Sequence, residues 1–514
     1  MPQLDTLAVV PIFITAGSAV LPAVLAGVAG VAAVLLRPGE WAGLVRRRPV
    51  VSASVVAVLG LGVWGGVELL STKPAKAAPA GTDWAAVARQ IIDRQAAMAL
   101  ASQPGTVSAA SATATVEARD FSRSSYDNGP APRDLKTLWT YAPEDTMFLA
   151  SPAVVGDRIY VAGCVTGLGD YTGSLACIDA NTGRPIWEVS EANGEALKAF
   201  FSSPAVTADG KSVIVGQGFH QDRNCPLLCF DADTGKLRWS AATTEHVESS
   251  PAVIGDLAVV GVGAIEDKSG RPTGDAGHVL AVRVSDGRVL WRHPVIDAES
   301  SPAVDSDGTV IIGSGLNGNA IVGIKSPDDK PATLWKTDVG LTAAGSVTLA
   351  GDLAIIGAGN GNLAVSSGKP EGVAVAVDRR TGDVRWKFKT DDAVLGPIAY
   401  RDGLLIVPTR SDSVIALNAD DGTERWRTSI NRAVPILAGA AITDAFVYVH
   451  ASDGTLAVLD KVTGKILEKH AMNDPSKTAV GLASAAPQVI RGRVYVASET
   501  GGLRCLVGTV GGQQ

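Results

Sequence analysis

The sequence predicts an all-β fold: an eight-bladed β-propeller of four-stranded antiparallel blades, preceded by two transmembrane helices and a linker. Three observations carry that expectation. A run opening on an acidic or polar residue, with Gly four positions on and Trp four after that, returns from Asp179 to Trp187, Asp231 to Trp239, Arg283 to Trp291, Asp378 to Trp386 and Asn418 to Trp426. A sixth copy, Asp460 to Gly464, continues into Leu467-Glu468 without the Trp. A second run, Ser-Pro-Ala-Val followed by a Gly/Asp turn and a β-branched stretch, starts at Ser151, Ser203, Ser250 and Ser301, with degenerate copies from Gly345, Gly396, Ala438 and Ala486. These eight starts lie about 42 to 52 residues apart, the period of a four-stranded propeller blade. The composition agrees: 57 glycines and many short Val/Ile/Thr runs suit strands joined by tight turns. A chain of 514 residues is long for one ordinary core, but in a repeat array each unit packs mainly on its neighbours.

The chain opens on residues 1–70. No charged residue occurs from Thr6 to Leu36 or from Pro49 to Val67, and the first run exceeds the roughly 20 apolar residues that a bilayer-spanning helix needs. Arg37, Arg46, Arg47 and Arg48 lie between the runs with Glu40 alone in opposition. The positive-inside rule therefore puts this loop in the cytoplasm and the rest of the chain outside. An alternative makes the second run a cleaved signal peptide, with Ala75 to Ala78 at the cleavage site, but it leaves the first run unexplained. The first cysteine is Cys164, so the expected anchor is the two helices rather than an acylated cysteine.

Residues 71–134 read as a linker. Lys73 to Gly81 is a Pro/Ala spacer, and residues 83–103 have helical spacing of Trp84, Val87, Ile91, Ile92, Met98 and Leu100 after a capping Asp83. Ser102 to Arg133 is poor in apolar residues, which predicts a flexible tether.

Residues 135–514 form the predicted propeller. In each unit the Asp bonds its own turn backbone and the Gly takes a positive φ between strands C and D, with the Trp starting strand D. The glycines are Gly183, Gly235, Gly287, Gly382, Gly422 and Gly464. The last unit ends after a strand C from Gly502 to Val507, while Leu135 to Tyr141 precedes the first strand A and carries Trp139 at the strand D position. The N-terminal strand should therefore complete the eighth blade, and closing the ring removes open sheet edges.

The net charge of −7 and the lack of a basic stripe exclude nucleic acid as a partner. Residues 1–70 carry +1, so the exported remainder is near −8 and is not expected to lie flat on anionic lipid.

The recurrence of Thr-Gly-x-x-x-Trp with Ser-Pro-Ala-Val resembles the quinoprotein-like (PQQ-repeat) eight-bladed propellers, and the likeness covers Leu135 to Val510. It implies that Trp187, Trp239, Trp291, Trp386 and Trp426 lock neighbouring blades, with Trp139 and Trp335 in the same place. One branch of that family consists of alcohol or sugar dehydrogenases using pyrroloquinoline quinone and Ca²⁺. Another, similar to the outer-membrane assembly protein BamB, is non-enzymatic and works on other envelope proteins. Others are exported ligand sensors. The dehydrogenase branch commonly has adjacent cysteines under the quinone, and no adjacent pair occurs here. No catalytic residue is assigned. The expected function is a membrane-anchored scaffold for envelope proteins or peptide segments, with dehydrogenase and sensor as the alternatives.

Residues two positions before each strand A start should line one mouth of the ring: Leu149, Phe201, Glu248, Glu299, Ala343, Val394, Ile436 and Ser484. Most are apolar, which suits docking of a peptide. Glu248 and Glu299, with His246 close by, could form a cation site or stand as solvated mouth residues. Outside the cytoplasm, Cys164 with Cys177 and Cys225 with Cys229 are candidate disulfides. The alternative uses His220, Cys225 and Cys229 as metal ligands.

Overall fold

In a computed structural model, residues 121, 123–166, 171–265, 272–326, 329–363 and 365–510 are described. The two apolar N-terminal runs and the helix expected over 83–103 lie outside them. Among the described residues no helix is long and apolar enough to cross a membrane.

Among the described residues eight antiparallel blades follow one another, seven of four strands and the first of five because Thr146–Met147 also pairs with its strand B. Glu191–Ala192 with Glu195–Ala196 forms a separate two-stranded sheet. Blade 2 shows the pattern: Ala205–Val206, Ser212–Gly216, Leu227–Asp231 and Leu237–Ala241 are strands A to D, each bonded to the next. Burial falls from the inside outward. Strand B of blade 2 is buried at every position, whereas strand D of blade 6, Glu424–Ser429, alternates. Inner strands have a neighbouring blade on both faces, so they need unbroken Val/Ile/Leu runs; the outer strand keeps one wet side and reads with period two.

The eighth blade closes as the sequence predicts. Gln488–Ile490, Arg493–Ser498 and Gly502–Val510 supply strands A to C, and Pro132–Tyr141 supplies strand D. Trp139 lies opposite Cys505, and Pro132 opposite Val510.

The C-to-D turn is an Asx turn. Asp231 Oδ1 accepts from the Asp233 and Thr234 amides and the Thr234 hydroxyl, and Gly235 sits at φ 70°. Arg238 Nη2 reaches the other oxygen. Arg238, then Thr234, hold the Asp231 carboxyl down at about 2.

Strand D does not begin at the Trp. It starts two residues earlier, at Leu237 in blade 2, at Val384 in blade 5 (Val384–Thr390) and at Glu424 in blade 6. Cys229 faces Trp239 while Phe230 faces Leu237, so Arg238 is an extra residue, and the same slip recurs in the other blades. Such a bulge bends the strand and re-aims the side chain that follows.

That aim is inter-blade. Alanine Cβ atoms built at Gly183, Gly235, Gly287, Gly382, Gly422 and Gly464 would collide with the rings of Trp139, Trp187, Trp239, Trp335, Trp386 and Trp426 of the preceding blade. Five of those indoles also donate to a turn carbonyl of that next blade, as Trp386 Nε1 does to Ala419 O at 2.8 Å. Trp291 shares an apolar cluster with Val304 and Ile324 of blade 4. In blade 7, Glu468 stands opposite Val458 where the other blades have Trp. Its carboxylate accepts from the amides of Asp134 and Leu135 in the closing strand, at 2.8 and 3.1 Å. At the ring's seam a charged clasp replaces the aromatic wedge.

Serines bind the inner ring. Ser202, Ser249 and Ser300 Oγ each donate to the carbonyl of the matching residue in the next blade, at 3.0, 3.0 and 2.7 Å. Ser203, Ser250 and Ser301 Oγ accept the amide of the matching serine in the blade before.

Candidate functional site

Strands A lie innermost, because those of neighbouring blades touch one another, and their edges line the channel. Phe121 and residues 123–128, expected within the tether, run along these edges instead. Phe121 O accepts from Leu349 N in blade 5, Ser124 O from Ile442 N in blade 7, and Ser125 O from Val489 N in blade 8. The buried Arg123 guanidinium donates to Val347 O at 2.7 Å and to Pro302 O at 3.1 Å. Burial lowers its pKa to about 10. Composition pointed to a tether because it measures a segment's own apolar content. The free strand edges and carbonyls that capture this segment belong to blades far along the chain.

The mouth also differs from the expectation. Leu149 and Phe201 are buried in one cluster with Cys164, Ala199, Phe219, Leu363, Ala393, Leu395, Leu437 and Leu482. Blades 1, 2, 5, 6, 7 and 8, or the connections entering them, thus fill the axis with side chains that pack on each other. Val394 and Ile436 do not join: they sit in clusters between blades, and Leu395 and Leu437, one residue later, face the axis. A one-residue register error flips a side chain to the other face of its segment. The apolar mouth is a closed plug, not an open docking surface.

Blades 3 and 4 interrupt the plug with polar groups. His246 and Glu248 lie in the connection entering blade 3 (strand A Ala252–Ile254), and Glu299 in the connection entering blade 4 (strand A Ala303–Val304). His220 comes from the B-to-C connection of blade 2, between Gly216 and Leu227. Glu299 Oε1 meets His220 Nδ1 at 2.9 Å and His246 Nε2 at 2.7 Å. The imidazole centroids are 4.9 Å apart. Glu248 Oε1 accepts the His220 amide. Burial pushes the Glu299 carboxyl up, but the hydrogen bonds and charge of His220 and His246 outweigh it and hold the group below the usual carboxylate range. Of the two sequence readings of Glu248 and Glu299, solvated mouth residues fails, since both are buried.

The cysteines are a correction. All five are free and buried. Cys177 pairs with Tyr160 and Cys164 with Gly173, four residues along the same hairpin, which at about 3.3 Å per residue is far beyond disulfide reach. Cys225 precedes strand C of blade 2 and Cys229 lies within it, opposite Ile214 and Trp239. Burial pushes the Cys164 and Cys225 thiols up to about 12, so neither is a ready thiolate. The metal alternative changes accordingly: His220 gathers with His246 and Glu299, not with Cys225 and Cys229.

Pyrroloquinoline quinone and Ca²⁺ do not fit these residues. The axial space is taken by Leu149, Phe201, Phe219 and their neighbours, and the polar group offers two imidazoles where Ca²⁺ takes six to eight oxygens.

A family model described as outer membrane protein assembly factor BamB matches residues 131–367 and 318–514. The chain is 25% identical over 326 residues to the outer membrane protein assembly factor BamB of Yersinia pestis, covering 58% of this chain and 72% of that one. It is 22% identical over 213 residues to the quinoprotein alcohol dehydrogenase PedH of Pseudomonas putida, spanning 40% of this chain and 32% of that enzyme. The crystal structure of BamB from Moraxella catarrhalis superposes with a TM-score of 0.54 at 16% identity, covering 74% of this chain and all of that one. At that identity the likeness shows the fold.

Proposed function

The chain belongs to the family of the outer membrane protein assembly factor BamB, and from that premise we propose that its propeller is a non-catalytic scaffold for other proteins of the cell envelope. One observation carries this reading: the channel is filled from within, by the plug of Leu149, Phe201, Phe219, Leu395, Leu437 and Leu482 around the axis and by Phe121 and residues 123–128 along the strand A edges. A quinone enzyme needs that axial volume for cofactor and substrate, whereas a scaffold needs a rigid body. The repeated Asp, Gly and Trp are engaged in turns and inter-blade contacts, which is the work of architecture.

The proposed setting is the outer side of the cytoplasmic membrane. The uncharged runs from Thr6 to Leu36 and from Pro49 to Val67, with the basic loop between them, support anchoring by two helices. The buried free thiols withdraw the support that disulfides would have lent to export. Partners would be envelope proteins, as the family's name suggests.

Two measurements test the reading. Adding pyrroloquinoline quinone and Ca²⁺ to the full-length protein should give neither stoichiometric binding nor dye-linked oxidation of alcohols or sugars; either result refutes it. In-cell crosslinking from the propeller should recover the same envelope proteins reproducibly, and recovery of none would count equally against it.

A further inference from the structure

We propose that His220, His246 and Glu299 form a binding site for one divalent first-row transition ion, Zn²⁺ foremost. Their ligand atoms all lie within 4.8 Å of one another. They converge from three chain segments belonging to different blades, and no repeat position requires this. At the matching mouth position other blades carry Leu149 or Phe201, so Glu299 replaces an apolar residue in the plug.

The chemistry of the donors selects the ion. Two imidazole nitrogens and one carboxylate oxygen suit Zn²⁺ and its neighbours, and three protein ligands leave a fourth position open. Ca²⁺ and Mg²⁺, which take oxygen ligands, do not match this set. The geometry is close to what an ion needs. Metal bonds of about 2.0 to 2.2 Å in a tetrahedron place ligand atoms roughly 3.3 Å apart, against 2.9 and 2.7 Å here. The two contacts to Glu299 fall about half an ångström short of ligating separations, and the two imidazole nitrogens, within 4.8 Å of each other, would close on the ion.

The surroundings are built for it. The side chains of His246 and Glu299 are 0% and 1% exposed, and that of His220 is 8% exposed, so the site is dry and has its entry on the His220 side. Gly263 makes the space: a Cβ there would lie 2.3 Å from His246 Nε2 and 2.9 Å from Glu299 Cγ. Glu248 holds the backbone of His220 and so orients this ligand. An ion here would pin the blade 2 loop across the entries to blades 3 and 4. It would also offset the cost of a carboxylate buried at the edge of an apolar plug.

The test uses untagged full-length protein stripped with EDTA and titrated with Co²⁺, then with Zn²⁺ in competition. The expected result is one Co²⁺ per chain with the visible absorption of a low-coordinate site, displaced by Zn²⁺ and not by Ca²⁺, and a rise in melting temperature with Zn²⁺. His246→Ala and Glu299→Gln should each weaken binding by more than about 100-fold, since loss of a direct ligand should exceed the effect of losing an outer-shell partner. His220→Ala, on the most exposed ligand, supplies the same test in a chain whose circular dichroism shows it folded. Absence of saturable one-to-one binding overturns the proposal, as does binding that survives His220→Ala or a site that prefers Ca²⁺. The outcome is independent of quinone binding or partner capture, so this proposal and the scaffold reading fail separately.

Discussion

Replacing Gly422 with alanine should strike the wedge between blades 5 and 6, and the structure sets the size of the effect. Gly422 sits at φ 71°, where a Cβ costs about 1 to 2 kcal/mol. The new methyl would lie 2.7 Å from Trp386 Cδ2 and Cε3 and 3.1 Å from Cγ. The ring has little freedom to retreat, because Trp386 Nε1 donates to Ala419 O. Overpacking of this kind adds about 1 to 3 kcal/mol, for a total near 3 kcal/mol. Gly403, in the A-to-B turn of the same blade, provides the internal control: its φ is 73° and no atom lies within 4 Å of a built Cβ, so Gly403→Ala should lose only the backbone share. Trp386→Ala should cost about 3 to 5 kcal/mol as a large core truncation. It should also relieve the clash, so the double variant should be more stable than the sum by about 1 to 3 kcal/mol. Urea midpoints followed by circular dichroism measure all four chains. Equal losses for Gly422→Ala and Gly403→Ala, or strict additivity in the cycle, would refute the wedge.

Other consequences can be checked by urea midpoints and amide exchange. Glu499 is buried, with its carboxylate facing the amides of Val480, Gly481 and Leu482. Burial outweighs those bonds and raises its pKa to about 7. The folded state therefore holds this proton more tightly than the unfolded state. The associated stability is full below pH ~4.5 and falls as pH rises through ~7, by about 3 kcal/mol; Glu499→Gln should flatten that slope. Ser249→Ala removes a donor to Ser300 O and an acceptor for Gly261 N, and should cost about 1 to 3 kcal/mol for the buried groups left unpaired. Glu468→Ala should speed amide exchange in the closing strand Pro132–Tyr141 more than in strand C of blade 3, because it releases the amides of Asp134 and Leu135; equal acceleration in both would dismiss the clasp.

What the sequence revealed depended on whether a feature had to recur. The Asp-to-Gly turn and the Trp recur because every blade needs a hairpin and a wedge, so eight units and their closure by Trp139 were readable. The bulge before each Trp was not, since aliphatic Ile186 and Leu334 and charged Arg238 all occupy it and a bulge is a backbone event. The Ser-Ser pairs were visible as composition, but their role was hidden because the first serine bonds to the next blade and the second to the blade before. At the axis, Glu248, Glu299 and His246 were legible as a departure from the apolar ring. His220 joins them through a loop whose reach no spacing encodes. Cys164 and Cys177 misled for the same reason: proximity in sequence says little where an extended hairpin carries residues steadily apart.

The closing strand also sets an order in time. Pro132–Tyr141 is among the first parts of the propeller to be synthesised and the last to find its place, since Thr509 meets Arg133 across 376 positions. At about 5 to 20 residues per second, translation leaves that strand without its partner for roughly 20 to 75 s. Throughout that interval its backbone edge is open to any other chain that offers a strand. The wait favours a chaperone that keeps the first strand occupied until the last one arrives.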